Sequence, residues 1–421
     1  MADNLVFYKE TEFKDTEIGR IPKEWEVARV TDVAEYVNGY AFSPKDWKSS
    51  GIPIIRIQNL NDPSAEFNYF DGEIDRIYEV TDGDLLFSWS ASIGVYIWKR
   101  GRAVLNQHIF KVIPKGTIDK IFLYYVLTLA IGQLKERVHG STMKHFKRRE
   151  LNVASVPLPP LPEQQKIATI LSTIDEAIQK TDEVIAKTER LKKGMMRELL
   201  TKGIGHKEFK DTEIGRIPKE WEVVNLEGAC VEITDGSHWS PKQVERSEHR
   251  IATVANLRET YVDIDSCKFI SEEDYMRLVK EGDVPRKDDI LFSKDGTIGI
   301  AFTFKQDSYK IGLLSSIAII RPNHELLFSD FGAYALKSPN ILMQITGWKT
   351  GTALRRIILD SLKRLKIMLP PLHEQRRIAS ILLSADDRLE LLRKERTKLE
   401  RIKKGFMNEL LTGRIRVGVR S

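Results

Sequence analysis

One fifteen-residue sequence occurs twice in this chain and constrains its fold more than any other feature. FKDTEIGRIPKEWEV occupies residues 13–27 and recurs without change at 209–223. Two further pairs follow at a displacement of 211 residues: LPPLPEQQKIATIL (158–171) matches LPPLHEQRRIASIL (369–382), and ERLKKGMMRELLT matches ERIKKGFMNELLT. Long internal repeats of this kind predict a molecule built from two related halves.

The segments between the repeats are distant copies of one another. NGYAFSPK (38–45) parallels DGSHWSPK (235–242), and GDLLFSWSASIG (83–94) parallels DDILFSKDGTIG (288–299). Short β-branched and aromatic runs, broken by Gly, Asn, Asp and Pro, predict strands and turns. IDKIFLYYVLTLAIGQL (118–134) is long and apolar enough for a buried helix. We therefore predict an α+β fold with two strand-rich globular domains.

An apolar stripe with heptad spacing follows each proline-rich repeat, in a helix of about 37 residues or roughly 55 Å. Because the apolar stripes of the two helices match at equivalent heptad positions, we expect the helices to pair as an antiparallel coiled coil with pseudo-twofold symmetry. Packing of each helix on its own domain is the alternative. Lys192 and Lys403 interrupt the two stripes at equivalent heptad positions, and we expect their side chains to extend to water. The alternative is that they open the coiled coil locally for a partner helix. The predicted seam residues are Ile167, Leu171, Ile174, Ile178, Ile185, Met195, Leu199, Ile378, Leu382, Leu389, Leu392, Leu399, Phe406 and Leu410.

The repeats also predict a cyclic organisation. We call the segment that contains the fifteen-residue repeat the strap. The first helix leads into the second copy of the strap, whereas the second helix ends near the C-terminus and the first strap stands alone at the N-terminus. The two chain ends should therefore meet. The predicted boundaries are an N-terminal strap at 1–27, a first domain at 28–157, a first helix at 158–201, a second strap at 202–223, a second domain at 224–368 and a second helix at 369–421.

Common catalytic and metal-binding motifs are missing. The sequence has no phosphate-binding loop, no G-x-G-x-x-G after a strand and no H-E-x-x-H, since HEQRR at 373–377 lacks the second histidine. Cys230 and Cys267 lack metal-ligand spacing and are too few for a disulfide framework, which favours free thiols in a reducing cytoplasm. Neither a membrane span nor a secretory signal is expected. We predict no catalytic residue, no metal site and no enzymatic activity.

Basic residues cluster at equivalent places in both domains, and the net charge is +6. Six basic residues stand against two acidic ones in 135–150, and six against one in 343–366. Each segment includes a Gly-Ser or Gly-Thr turn that suits a phosphate. A single such patch is equally typical of a solvated helix face, but two in register favour DNA. Positions that differ between the copies suit base reading. The candidate DNA contacts are Tyr40, Lys45, Ser90, Gln107, His108, Thr142, Lys144, Lys147, Arg148, His238, Lys242, Lys294, Thr352, Arg355 and Arg356.

The chain resembles the specificity (S) subunit of type I restriction-modification systems over essentially its whole length. The resemblance rests on IGRIPKEW before each domain, on LPPLPEQQKIA and LPPLHEQRRIA after it, and on the helix ends KKGMMRELL and KKGFMNELL. It implies two target recognition domains, each reading one half of a bipartite double-stranded DNA site, with the coiled coil fixing the spacer. It also implies that the helices dock methyltransferase subunits carrying S-adenosylmethionine. Restriction subunits that use ATP and Mg²⁺ join them, and this chain itself binds no cofactor.

Two alternatives compete with this interpretation. One is a coiled-coil scaffold without a DNA function. The other is a stand-alone DNA-modifying enzyme with an unrecognised site, which methyl transfer or cleavage by the purified chain would establish. Neither the bases that are read nor the spacer length follows from the sequence, because both depend on where loop side chains lie.

Overall fold

The computed structural model describes residues 5–90, 92–137, 154–306, 309–347 and 356–419. The chain forms two compact units: the first comprises 1–183 with 394–421, and the second comprises 184–393. Each long helix is thus divided between the two units. The predicted boundaries instead listed each helix as a segment of its own, apart from both domains. Within the described ranges no helix combines the length and apolarity that a membrane span needs.

The secondary-structure elements follow in chain order. The strands before the first long helix are β1 (Leu5–Lys9), β2 (Phe13–Thr16), β3 (Gly19–Pro22), β4 (Glu26–Arg29), β5 (Ala34–Asn38), β6 (Ile52–Ile55), β7 (Asn68–Phe70), β8 (Glu79–Val80), β9 (Leu85–Ser88), β10 (Gly94–Ile97), β11 (Ala103–Leu105), β12 (Ile109–Pro114) and β13 (Ser155–Leu158). The helices up to the end of that long helix are α1 (Val30–Val33), α2 (Ile57–Asn61), α3 (Lys120–Arg137) and α4 (Leu161–Lys202).

The second half repeats this order. Its strands are β14 (Phe209–Thr212), β15 (Gly215–Pro218), β16 (Glu222–Asn225), β17 (Cys230–Asp235), β18 (His249–Ala252), β19 (Lys268–Phe269), β20 (Ile290–Ser293), β21 (Ala301–Thr303), β22 (Lys310–Leu313), β23 (Ile317–Pro322), β24 (Lys366–Leu369) and β25 (Ile415–Val419). Its helices are α5 (Glu272–Glu281), α6 (Ser329–Leu336), α7 (Pro339–Gly347), α8 (Leu359–Lys363) and α9 (Leu372–Leu410).

The two domains share one topology, which confirms that they are copies. An antiparallel sheet in the order β10-β9-β12-β5 corresponds to β21-β20-β23-β17. Beside it, the parallel pair β6–β11 corresponds to β18–β22, and the antiparallel neighbour β7 of the first pair corresponds to β19 of the second. The copies differ at the edges: β8 joins the second sheet of the first domain, and α5 is present in the second domain.

Each domain shares one hydrophobic core with its strap and with the nearby helix ends. In the first unit, Trp25 of the strap, Phe122 of α3 and Leu171 of α4 belong to a single buried cluster. Trp221 and Leu382 occupy the equivalent cluster in the second unit. The two packing alternatives for the long helices are therefore combined, because these helices contact both each other and a domain.

The Pro-Glu-Gln repeats form two equivalent attachment points. Glu163, in the first turn of α4, accepts a hydrogen bond from Trp25 Nε1 at 3.1 Å, and Glu374 accepts one from Trp221 Nε1 at 2.9 Å. Gln164 is buried, accepts a hydrogen bond from the backbone N–H of Asp119, and donates to the carbonyl of Thr117 in the domain and to that of Pro159 just before the helix. Gln375 makes the matching set of bonds in the second unit. The glutamates thus hold the straps, while the glutamines hold the domains.

The chain ends meet, as the repeats predict. Strand β1 pairs antiparallel with β25 along its whole length. Arg416 of β25 is buried, and its guanidinium donates to Glu163, Glu10 and Glu24. In the second unit His206 lies beside the equivalent glutamate, with Nε2 at 2.9 Å from Glu374 Oε1.

The long helices pair antiparallel in both units. In the first unit Asp175 pairs with Lys403 and Asp182 with Arg396, so the numbering rises along α4 as it falls along α9. Lys192 with Asp386 and Glu189 with Arg393 repeat this direction in the second unit. The helices have 42 and 39 residues, slightly more than predicted. All predicted seam residues are described, and each is buried or half-buried.

The expectation that Lys192 and Lys403 reach water is wrong. Each ammonium group is largely enclosed and pairs with an aspartate of the opposite helix. A buried cation needs such a partner, because the lost hydration must be replaced. The lysines are therefore polar contacts between the helices.

Candidate nucleic-acid interface

Three loops meet at one place in each domain, through the same backbone hydrogen bonds. In the first domain Gly39 N donates to Ile109 O, Tyr40 N to Leu105 O and Trp89 N to His108 O, at 3.0, 2.8 and 3.4 Å. In the second domain the bonds run from Gly236 to Ile317, from Ser237 to Leu313 and from Lys294 to Ser316, at 3.0, 2.8 and 3.0 Å. We call these places the three-loop junctions, formed by residues 38–42, 89–90 and 105–108 in the first domain and 235–239, 293–297 and 313–316 in the second.

Both junctions require a glycine at the point of contact. A Cβ atom on Gly39 would lie 2.2 Å from the carbonyl oxygen of Asn106, and one on Gly236 would lie 2.3 Å from that of Leu313. Backbone atoms cannot yield at such distances without moving the loop. The Asn-Gly and Asp-Gly pairs that begin the aligned motifs therefore have a packing reason.

The first junction presents aromatic and neutral polar groups. The indole of Trp89 donates to Asn38 Oδ1 at 3.4 Å, and its ring contacts the His108 imidazole with centroids 5.3 Å apart. Tyr40 is exposed and packs against Tyr78. The buried Nδ1 of His108 has no hydrogen-bond partner among the described residues. The aromatic faces of this junction suit contacts with DNA bases.

The second junction is ionic instead. Lys294 is only 1% exposed, and its Nζ lies 2.8 Å from Asp235 Oδ2. The other carboxylate oxygen lies 3.3 Å from Nε2 of His238, whose side chain is 68% exposed. Burial raises the pKa of the nearby Asp283 carboxyl, and the charge of Asp235 adds to this effect. The same backbone framework thus carries different chemistry from that of the first domain.

The junctions bring together several of the predicted contact residues. Tyr40, Ser90, Gln107 and His108 lie at the first junction, while His238 and Lys294 lie at the second. Two of them do not face solvent: Ser90 is buried, and the ammonium of Lys294 is held by Asp235. In this structure Lys294 is thus unavailable to a phosphate, and it fixes the loop instead.

The remaining described candidates are exposed cations. Lys45 and Lys242 lie in the Ser-Pro-Lys loops, which are anchored by the buried Phe42 and the half-buried Trp239. Arg356 is exposed, 4.0 Å from Asp295, and the next residue donates its N–H to Lys294 O. The other predicted contacts lie outside the described residues: Thr142, Lys144, Lys147, Arg148, Thr352 and Arg355.

The predicted contacts did not include four residues whose side chains act at or beside the junctions: Asn38, Trp89, Asp235 and Asp283. Asn38 and Asp235 are the first residues of the aligned loop motifs, and Trp89 is the counterpart of Lys294. These residues occupy equivalent positions in the aligned motifs but differ in chemistry, and this difference was the sequence signal that could have identified them. Asp283 had none, because only the fold brings it near Asp235. Across the described ranges no group of three His, Cys, Asp or Glu side chains is placed to hold a metal ion.

Comparisons with known proteins agree with this architecture. A family model described as "Type I restriction modification DNA specificity domain" matches residues 22–190 and 218–401. The chain is 32% identical over 431 residues to the MjaVIII type I restriction enzyme specificity subunit of Methanocaldococcus jannaschii, covering 98% of both chains.

Two solved structures share the fold. One is the S subunit of a type I restriction-modification system from M. genitalium, with a TM-score of 0.57, 14% identity and coverage of 92% of this chain and 96% of that one. The other, from work on assembly and conformational transition of the type I system, gives a TM-score of 0.53 at 17% identity and covers 94% of this chain and 99% of that one. The two segments that the family model matches include both domains and most of both long helices. The chain therefore belongs to the type I restriction-modification DNA specificity family.

Proposed function

We propose that this chain is the non-catalytic DNA-reading subunit of a type I restriction-modification complex, and that each three-loop junction reads one half of a bipartite site. One observation carries the proposal: two domains with the same central topology present the same junction with different side chains. A shared framework positions both domains on a duplex in the same way. Different side chains at the same positions give different half-sites.

The two long helices set the spacer and dock methyltransferase subunits in this proposal. Linked half-site contacts bind more tightly than separate ones when the link matches the span. Leu191 of α4 and Leu391 of α9 are largely exposed and offer apolar surface for a partner helix. S-adenosylmethionine, ATP and Mg²⁺ belong to the methyltransferase and restriction subunits, in a complex that acts in the cytoplasm.

The test is to express the chain with its methyltransferase partner and sequence the methylated positions of the host genome. The proposal expects one bipartite motif with a fixed spacer, which is lost when this chain is omitted. Methylation at the same motif without the chain, or a motif in one continuous piece, would contradict it.

Substituting one residue at each junction should change one half of the motif only. We expect His238→Ala to relax the half-site read by the second domain, and Tyr40→Ala to relax that read by the first. Each should lose about 1–3 kcal/mol of discrimination at the contacted base pair. Methylome sequencing of the two variants checks this. Lys45→Ala is the control, because losing a contact between a lysine and a phosphate lowers the affinity for all DNA sequences alike.

Reversing the charge of the basic segments should weaken binding to any DNA. The variant Lys144→Glu, Arg148→Glu, Arg355→Glu, Arg356→Glu removes up to four phosphate contacts and adds repulsion. The affinity of the reconstituted complex should then fall, and the slope of log K against log salt should drop by up to about 4. Filter binding at several salt concentrations measures both quantities. An unchanged slope would favour the scaffold alternative.

A further inference from the structure

Each unit contains a polar cluster that joins a domain to both long helices. In the first unit Tyr125 donates its hydroxyl to Asp175 Oδ2 at 2.7 Å, while the ammonium of Lys403 pairs with Oδ1 of the same carboxylate at 2.5 Å. In the second unit Tyr334 donates to Asp386 Oδ2 at 2.6 Å, and Lys192 pairs with Oδ1. We call these two sets the Lys-Asp-Tyr clusters.

The clusters use the same side chains with the helices exchanged. The first takes its aspartate from α4 and its lysine from α9, whereas the second takes its aspartate from α9 and its lysine from α4. The tyrosine comes from a domain helix in both cases, α3 or α6. Each carboxylate therefore connects three separate elements, one oxygen to the domain and one to the opposite long helix.

The tyrosine hydroxyls of both clusters are enclosed, so their hydrogen bonds to the aspartates are not exchanged freely for water. The two tyrosines are buried, at 2% and 3% exposure. Burial, together with the hydrogen bond to the aspartate, raises the pKa of Tyr125 and Tyr334 far above the ordinary value of 10.0. Each hydroxyl therefore remains a donor throughout the physiological pH range.

The clusters provide a second polar point of attachment for each domain. The first point is the glutamine at the start of each long helix, Gln164 or Gln375, which binds domain carbonyls. Asp175 and Asp386 each lie eleven residues further along, which is about 16 Å of helix. A single attachment acts as a pivot, whereas two separated attachments fix the angle of a body on a rod.

We propose that Tyr125 and Tyr334 are positioning residues that fix the angle of each recognition domain on the coiled coil, and thereby the half-site spacing that the complex accepts. This inference rests on the proposed function. It assigns the tyrosines no part in reading bases, since they lie at the helices and not at the three-loop junctions.

The experiment is the double variant Tyr125→Phe, Tyr334→Phe, reconstituted with the methyltransferase partner. The substrates are duplexes that keep both half-sites and vary the spacer one base pair at a time. We expect the preference for the normal spacer over its neighbours to fall about tenfold, as for loss of a hydrogen bond to a charged group. The bases recognised in each half-site should not change. Tyr124→Phe is the matched control, because it removes the neighbouring hydroxyl from the same helix.

A second measurement needs no DNA. Hydrogen exchange of the amides in α3 and α6 should be faster in the double variant than in Tyr124→Phe, because the domain helices are less firmly held. Unchanged spacer selectivity or unchanged exchange would overturn the inference while leaving the proposed function intact. Loss of base recognition in the half-sites would instead make the tyrosines merely structural. A parent complex that reads no bipartite site would overturn both proposals.

Discussion

Replacing Arg416 by methionine is expected to lower the free energy of unfolding of the first unit by about 3–5 kcal/mol. Arg416 is only 4% exposed, and its guanidinium donates to Glu163 at 2.7 and 2.9 Å and to Glu10 at 2.6 Å. Burial opposes the charge of Arg416, but the hydrogen bonds to Glu163, Glu10 and Glu24 outweigh it and raise the pKa of Arg416. Methionine fills similar space but leaves the buried Glu163 charge without its main partner.

The position of Arg416 adds to the expected loss. It lies on β25, which pairs with β1, and Glu163 also holds Trp25 of the strap. The substitution should therefore loosen the terminal strands and the strap together. Denaturant unfolding gives the stability change, and hydrogen exchange of the β1 and β25 amides locates it.

Glu24→Gln is the control for this prediction. Its carboxylate also pairs with Arg416, but its side chain is 75% exposed, so water can replace the contact. We expect a change below about 1 kcal/mol, which is typical of surface ion pairs. A similarly small effect of Arg416→Met would show that the Glu163 site tolerates an unpaired carboxylate and would contradict the argument.

The repeats predicted the organisation of this molecule because they mark where identical contacts recur. Trp25 and Trp221 occupy equivalent buried sites, and Glu163 and Glu374 accept their indole N–H groups. The heptad seam was equally accessible, since helical periodicity is a local property of the sequence. The meeting of the chain ends followed from the order of the repeats alone.

The polar contacts were not accessible in the same way. A heptad pattern counts apolar residues, so it registers Lys192 and Lys403 only as interruptions. Their aspartate partners come from the opposite helix, and the tyrosines come from domain segments with little sequence similarity. Arg416 occurs in only one half, where no repeat marks it. Such contacts depend on the tertiary register, which no local pattern contains.

The candidate interface shows the same division. The aligned motifs mark loops that converge in the fold, and Tyr40, His108 and His238 lie where these loops meet. Side-chain direction could not be predicted: Lys294 belongs to the most exposed residue class, yet Asp235 holds it inside. Its ion pair spans two loops that are distant in sequence, so charge alone did not indicate burial.

Deleting one heptad from each long helix, residues 176–182 and 387–393, is expected to shorten the preferred spacer by about 3 base pairs, from about 10 Å of lost helix rise. The geometry favours a folded product. Both Lys-Asp-Tyr clusters and both attachment glutamines remain, and nine residues then separate Asp175 from Lys192 and Asp386 from Lys403 alike. The deletions remove Asp182 and Arg393, whose ion pairs are partly exposed to solvent and therefore contribute little stability.

Helical phase should make the new optimum weaker than the old one. A heptad is nearly two turns of α-helix, so the domains keep almost the same relative rotation. Removing three base pairs turns the half-sites by about 100°, because DNA has 10–10.5 base pairs per turn. Twisting the shorter spacer to restore the alignment costs free energy, which lowers affinity even at the best spacer. Selection from duplexes of varied spacer length measures the optimum and its affinity together.

The single deletion of 176–182 separates the ruler from simple damage to the coil. It leaves helices of unequal length, so the two clusters cannot both form in one register. We expect this variant to lose stability and spacer preference together and not to select a shorter spacer. If the double deletion folds, as judged by circular dichroism, and keeps the original spacer, then the coiled coil does not set the half-site separation. The straps or the methyltransferase subunits would then have to fix it.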